Sequence, residues 1–185
     1  MISPFRVALA SRAVRDGGVV AYPTEAVWGL GCDPTDPYAV VRLLALKGRN
    51  PDQGFIVLAA DESDLAGLLG PLPPEAAERM RATWPGPATW IAPAAPGVPD
   101  WLTGGRDTLA VRVTAHPTAT ALCRAAGGAL ISTSANRSGS RPARSATEVR
   151  WRFGNRIDAL LPGPLGGLAR PTPIRDAMTG TYLRV

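Results

Sequence analysis

Apolar residues recur along this chain in short groups, and their spacing alternates between the period of a helix and that of a strand. A first helix is expected to begin at Ser3-Pro4, where serine can cap and proline fits the first turn, and to stop at Gly17-Gly18. Residues 19–22 read as a short buried strand that empties into a glycine-rich loop, 22–31. Asp36 can cap a helix over 37–47, with Val40, Val41, Leu43, Leu44 and Leu46 as its buried side; Gly48-Arg49-Asn50-Pro51 then forms a loop. Further strands are expected at 55–59, 89–92, 109–113 and 129–132. Further helices are expected at 64–69, 74–83 and 117–126, the last closed by Gly127-Gly128. A polar loop, 133–146, leads to a helix of about two turns capped by Thr147, and the tail, 174–185, reads as a hairpin turning at Thr179-Gly180.

Strands alternating with helices predict an α/β or α+β fold, a single domain over 1–185 built on a mixed sheet. The length of 185 residues suits one core, and 45% apolar with 19% charged residues is the balance of a soluble globular chain. The apolar runs are short and broken by Gly, Pro or charge, so no membrane span is expected. Residues 1–18 lack the unbroken apolar stretch of a signal peptide, which makes the cytoplasm the expected compartment.

Charge changes the picture. The net charge is +5, which suits nucleotides, phosphates or RNA as partners, or else gives a merely soluble basic surface. Nineteen of the 20 basic residues are arginine, and Lys47 is the single lysine. An ammonium is a compact point charge and a guanidinium a rigid fork, so the surviving lysine is a candidate for a role arginine cannot fill; chance survival is the alternative. Cys32 and Cys123 lie far apart in apolar surroundings and read as small buried residues. With His116 the only histidine, no zinc-ligand spacing exists, and no local motif supports a Cys-His nucleophile.

Three loops hold polar clusters. Pro23-Thr24-Glu25 sets a hydroxyl and a carboxylate beside glycines, as a capped turn or an amino-acid site would. Lys47-Gly48-Arg49 puts two cations where both can reach a phosphate chain, or where both complement a helix C-terminus. Residues 132–139, Ser-Thr-Ser-Ala-Asn-Arg-Ser-Gly, can cradle a phosphate or ribose, or form a surface turn. Neither a Walker A motif nor G-x-G-x-x-G after a strand is present, no pair of catalytic carboxylates stands out, and no Ser-His-Asp order is legible. Chemistry by positioning and charge neutralisation is expected instead of a covalent intermediate.

Six stretches, YPTEAVWGLGCDP, LLALKGRNPDQGFIVLAA, WPGPATW, LAVRVTAHP, ISTSANRSGSRP and IRDAMTGTYLRV, resemble the TsaC/YrdC family in content and order, over nearly the whole chain. The resemblance implies a single YrdC-like domain: a twisted, open mixed sheet flanked by helices, with a positively charged concave face. It also implies a nucleotidyltransferase reaction in which L-threonine, bicarbonate or CO2, and ATP give L-threonylcarbamoyl-AMP and pyrophosphate, with Mg²⁺ sharing the phosphate charge. The product would serve formation of N6-threonylcarbamoyladenosine at position 37 of ANN-decoding tRNAs, with partners similar to TsaD, TsaB and TsaE and with tRNA binding as a further expectation. The family's Lys, Arg, Ser, Asn set matches Lys47, Arg49, Ser134 and Asn136. Its threonine positions match Thr24, Arg112, Ser132 and Thr172, and its ATP contacts extend to Thr108 and Arg184. Two departures stand out: some relatives carry a His at the end of the strand that reads Ile56-Val57-Leu58 here, and the usual Arg-Pro is Arg49-Asn50-Pro51.

Two other classes fit parts of the chain. Arg141, Arg144, Arg150, Arg152 and Arg156 around Trp151 suit an RNA-binding module without catalysis, or simply flank a solvated helix. A carbamoyltransferase using carbamoyl phosphate is the other, and the whole-chain match argues against it.

Overall fold

In a computed structural model, which describes residues 2–184, strands and helices alternate as the spacing predicts. Helix α1, Pro4–Arg15, is capped by Ser3, and strand β1, Val20–Pro23, follows it fully buried. The segment expected as a glycine-rich loop instead folds back as strand β2, Trp28–Gly31, antiparallel to β1. Two of its four residues are glycine, which is depleted in strands, so local preference hides it and pairing on both edges creates it. Helix α2, Pro37–Lys47, is capped by the Asp36 carboxylate, which accepts from the Tyr38 and Ala39 amides, and ends at Gly48 in the left-handed conformation. Of its expected buried side, Val40, Leu43 and Leu46 are buried, but Val41 is 63% exposed because helical rotation turns it outward.

Strand β3 is Ile56–Ala59. The helix expected at 64–69 shrinks to a 3-10 turn, Glu62–Leu65. Then come α3 (Pro74–Arg81), β4 (Thr89–Pro93), the short α4 (Asp100–Thr103), β5 (Thr108–Val113) and α5 (Pro117–Ala126). Strand β6, Leu130–Ser134, runs two residues further than expected and so carries Thr133 and Ser134. Helix α6, Ala146–Phe153, is capped by Ser145, whose hydroxyl accepts from the Glu148 amide; Thr147, the expected cap, lies inside the first turn. A two-residue strand β7, Ala159–Leu160, and the hairpin β8 (Ile174–Asp176) and β9 (Tyr182–Arg184) complete the sheet. Val185, the last residue of the expected hairpin, and Met1, the first of the expected domain, lie outside the described residues.

Among the described residues, nine strands form one open mixed sheet in the order β7-β1-β2-β6-β3-β5-β4-β8-β9. β1–β7, β3–β5 and β4–β8 pair in parallel, and the remaining neighbours are antiparallel. Alternation along the strands gives the sheet two faces. One face, with Val57, Val111, Trp90 and Ile131, packs into the larger core together with α2 residues Val40 and Leu43 and α3 residue Met80. The other face is covered only in part. Val20, Tyr22, Leu58 and Leu130 pack under α1 and α5 residues Val14 and Leu122. Beyond them, the same face of β3, β5 and β6 carries Ile56, Ala110 and Ser132, which line an open cavity.

Cys32 and Cys123 are both fully buried, as expected, and burial pushes each thiol up to about 12. No helix among the described residues is long and apolar enough to cross a membrane.

Candidate active site

The bare half of the sheet floors a cavity of about 620 Å³. Ile56, Ala110 and Ile91 occupy neighbouring positions on β3, β5 and β4 and make its centre flat and apolar. Polar groups stand around this floor. Of the ten residues singled out in the sequence, eight line the cavity: Thr24, Arg49, Thr108, Arg112, Ser132, Ser134, Thr172 and Arg184. Lys47 and Asn136 stand behind the wall.

At one end of the cavity, four distant segments meet in a chain of polar contacts. Arg112, on β5, donates from Nη1 to the Thr172 hydroxyl at 2.8 Å, and its Nη2 lies 3.4 Å from Glu25 Oε2. Thr114 donates to Glu25 Oε1 at 2.7 Å, and Thr172 Oγ1 lies 3.4 Å from Thr89 Oγ1. The Arg112 and Glu25 side chains are only 7% and 9% exposed, so this is a buried ion pair. Glu25 Oε2 and Arg112 Nε make no hydrogen bond within the protein. A buried donor without a partner is costly. Thr24 caps this end: its hydroxyl donates to the Val27 carbonyl at 2.7 Å and closes the β1–β2 turn. Ser132 sits opposite Ile56 across the β3–β6 pair.

Beside this cluster, the hairpin β8–β9 supplies Arg184, which donates to the Thr172 carbonyl at 3.1 Å. Burial, and then the nearby Arg112, lower the pKa of Arg184. Arg49 leaves the C-terminal end of α2 and donates from Nε and Nη2 to the Gly54 carbonyl at 3.2 and 2.9 Å. Its guanidinium lies 5.1 Å from the centre of the Phe55 ring, and burial lowers its pKa. No carboxylate lies within ion-pair range of Arg49 or Arg184 among the described residues. These charges are parked on neutral carbonyls, so the wall presents a positive field to whatever enters.

Lys47 occupies a different place. It is 2% exposed and donates from Nζ to the Ser134 and Asn136 carbonyls at 2.5 and 2.9 Å. Its own carbonyl accepts from the Ser138 amide. The lone lysine thus lies beneath the loop after β6, fastened to it from backbone and side chain. Burial, and secondarily the charge of Arg49, lower its pKa from 10.5 to about 8. Asn136 staples the same loop: its amide nitrogen donates to the Arg137 and Ser140 carbonyls, both at 2.8 Å, while its buried side-chain oxygen has no partner. An arginine fork in place of Lys47 would not fit between two carbonyls of one tight loop as a compact ammonium does.

Sequence reasoning noticed the Glu25 carboxylate but not its pairing with Arg112, since the partner stands far along the chain. It passed over Arg106, which also lines the cavity; the two glycines before it, Gly104-Gly105, were the available signal of a tight approach. The cavity wall holds no Asp or Glu. Among the described residues, no group of three or more His, Cys, Asp or Glu could hold a metal ion.

Fold and cavity together define the class: an α/β protein with an open mixed sheet whose uncovered face carries a cation-rimmed cavity. Comparison with known proteins narrows the class. A family model of the Sua5, YciO and YrdC proteins, described as "Telomere recombination", matches residues 12–185, and the chain belongs to this family. A protein of Halorhodospira halophila named threonylcarbamoyl-AMP synthase is 66% identical over 181 residues, 98% of this chain and 95% of that protein. One of Alkalilimnicola ehrlichii with the same name is 56% identical over 185 residues, 97% of this chain and 95% of that protein. That name denotes a nucleotidyltransferase-type enzyme. Among solved structures, P. abyssi Sua5 complexed with L-threonine superposes with a TM-score of 0.90 at 34% identity, covering 95% of this chain and 52% of that one. This chain therefore spans about half the length of that Sua5 protein.

Proposed function

We propose that this chain is a threonylcarbamoyl-AMP synthase that uses L-threonine, bicarbonate or CO2, and ATP. The observation that carries the reading is that one cavity brings Arg112, Ser132 and Thr24 together with Arg49, Ser134 and Arg184. The first set suits an amino acid, with a guanidinium for its carboxylate and hydroxyls for its polar groups. The second set suits a chain of phosphates. The relatives' names and the threonine-bound Sua5 support the same assignment.

In the first step the threonine nitrogen bonds to CO2 and loses a proton to solvent, giving a carbamate. A carbamate oxygen then attacks the α-phosphorus of ATP. The bond from that phosphorus to the bridging oxygen breaks, and pyrophosphate leaves with the electron pair. Both reactants are anions, so the barrier is lowered by cations placed beforehand around the phosphates. Arg49 and Arg184 meet the phosphates from the wall. Ser134 and the loop amides orient the phosphate or carbamate, and Asn136 holds that loop in shape. Lys47 adds charge from beneath it. Thr108, at the edge of the floor, contacts the nucleotide. The flat apolar patch of Ile56, Ala110 and Ile91 takes the uncharged parts of the reactants. Some relatives carry a His at the end of the strand that reads Ile56-Val57-Leu58 here, so that substrate contact is lost or replaced in this chain.

The product is then passed, in the cytoplasm, to proteins similar to TsaD, TsaB and TsaE for transfer to adenosine 37 of tRNA. Trp151 is 85% exposed beside the exposed Arg150, and these would be the groups that meet an RNA backbone and its bases.

The test is pyrophosphate release from ATP by the purified protein, with threonine and bicarbonate omitted in turn and the adenylate followed by mass spectrometry. Release that requires both is the expected result. Release that requires neither, or none from folded protein that binds tRNA in a salt-dependent way, overturns the reading in favour of an RNA-binding module.

A further inference from the structure

Arg106 belongs to no motif that the resemblance brought forward, yet it stands on the cavity wall. It follows α4 on the loop that leads into β5. Its Nη1 donates to the Asp52 carbonyl at 3.0 Å and its Nη2 to the Gln53 carbonyl at 3.2 Å. The next carbonyl in that turn, Gly54, is the one Arg49 holds. Two guanidiniums from different parts of the chain thus grip three consecutive carbonyls of one turn, on one side of the cavity.

The backbone is built to allow this. Gly54 and Gly104 both have positive φ, +59° and +67°. A Cβ on Gly54 would lie 2.6 Å from the Leu102 carbonyl oxygen, and one on Gly104 would lie 2.3 Å from the Asp52 carbonyl oxygen and 2.7 Å from Arg106 Nη2. The Phe55 amide donates to the Leu102 carbonyl at 2.9 Å. The two loops therefore meet backbone to backbone, which only glycine permits in this conformation. That contact lays the Arg106 guanidinium across the turn beside Arg49. Asp107 follows it in the chain and Asp52 supplies one of the carbonyls it holds; both carboxylates are exposed, and neither comes within ion-pair range of it. With Lys47 held under the 134–136 loop, Arg49 and Arg106 are the free forks at this side of the wall.

We infer that Arg106 is a further guanidinium of the phosphate site: together with Arg49 it binds the outer phosphates of the nucleotide and the pyrophosphate that departs. This rests on the adenylate-forming reading above. The outer phosphates carry most of the charge, and two forks on a rigid turn match their oxygens from a fixed distance. Arg106 contributes nothing to the α-phosphate, the ribose or the amino acid, so its role is selective within the ligand.

The test compares wild type with Arg106→Ala and Arg106→Lys, using inorganic pyrophosphate, ATP and AMP as probes in calorimetric titrations and threonine KM in the turnover assay. In Arg106→Ala, dissociation constants for pyrophosphate and ATP rise about tenfold or more, as expected for loss of a charged hydrogen-bonding partner. AMP affinity and threonine KM stay within about twofold of wild type, and Arg106→Lys recovers part of the loss because the charge returns without the fork. Unchanged pyrophosphate and ATP affinities overturn the proposal. An equal weakening of AMP also overturns it, because that pattern belongs to a turn that has lost its shape. Wild-type protein that makes adenylate while Arg106→Ala binds normally refutes Arg106 alone; wild-type protein that binds neither ATP nor pyrophosphate refutes the reading beneath it as well.

Discussion

Lys47 offers an unusually clean measurement, because it is the single lysine in the chain. Its ammonium is 2% exposed and faces two backbone carbonyls instead of water. Raising the pH is the perturbation. A fall from 10.5 to about 8 corresponds to roughly 3 kcal/mol of added cost for carrying the charge inside the fold. The sign follows from proton counting. Between pH 8 and 10.5 the unfolded chain holds this proton and the folded chain releases it, so Lys47 makes stability rise with pH across that window. Below pH 8 both states are protonated and the full cost is borne by the fold. Protein grown with ¹³Cε-lysine shows one side-chain resonance, and its chemical shift reports the charge directly. A midpoint near 8 is expected in the free protein. Saturating pyrophosphate should move it upward, because an anion nearby favours the charged form. A free-protein midpoint at or above 10 would place the ammonium in water and refute the bracing of the 134–136 loop. A midpoint near 8 that pyrophosphate does not move would refute any part for the lysine's charge in holding phosphates.

Three further substitutions probe the rest of the site. Glu25→Ala removes one partner of the buried pair with Arg112 and should lower stability by about 3 kcal/mol in urea unfolding, with threonine KM raised; Glu25→Gln, which can still accept from Thr114, should lose less of the stability. Arg112→Lys replaces a fork by a point charge, so threonine KM should rise tenfold or more, as in loss of a charged hydrogen bond, while pyrophosphate affinity stays near wild type. Gly31→Ala would put a Cβ 2.4 Å from the Ile131 carbonyl oxygen and 3.0 Å from the Tyr22 ring, so the β2–β6 pair must separate. A loss of about 2–3 kcal/mol is expected in the same unfolding assay, and unchanged stability would mean this close approach is absent in solution.

Much of the scaffold was legible because its signals are local. Proline and a capping side chain mark the starts of α1, α2 and α5, and glycine marks their ends. An unbroken apolar run marks β3, and a run of apolar residues interrupted by Arg112 marks β5. What escaped is what only pairing decides. β2 reads as a loop until β1 and β6 flank it, and β7 is two residues that exist because Val20 and Ala21 accept them as neighbours. The site divides in the same way. Residue types in a family pattern located eight wall positions, while a lysine at the edge of that pattern gave no hint that it would lie under a loop. Arg106 escaped because its place depends on two glycines from separate loops meeting. The chemistry of a side chain is visible in sequence; the direction in which the fold aims it is not.

The parallel pairing of β8 with β4 has a consequence in time. Thr89 lies against Ile174, so docking the last strands closes a long loop across the chain. Thr172 and Arg184 travel with that hairpin, and until it arrives Arg112 lacks its hydroxyl partner and the cavity lacks a wall. Non-local pairings of this kind form slowly, since the closure entropy of a long loop comes due before any contact rewards it. Ligand binding during refolding is therefore expected to appear with the slowest phase, after the helical signal has recovered, which makes the substrate itself a reporter of the final step in assembly.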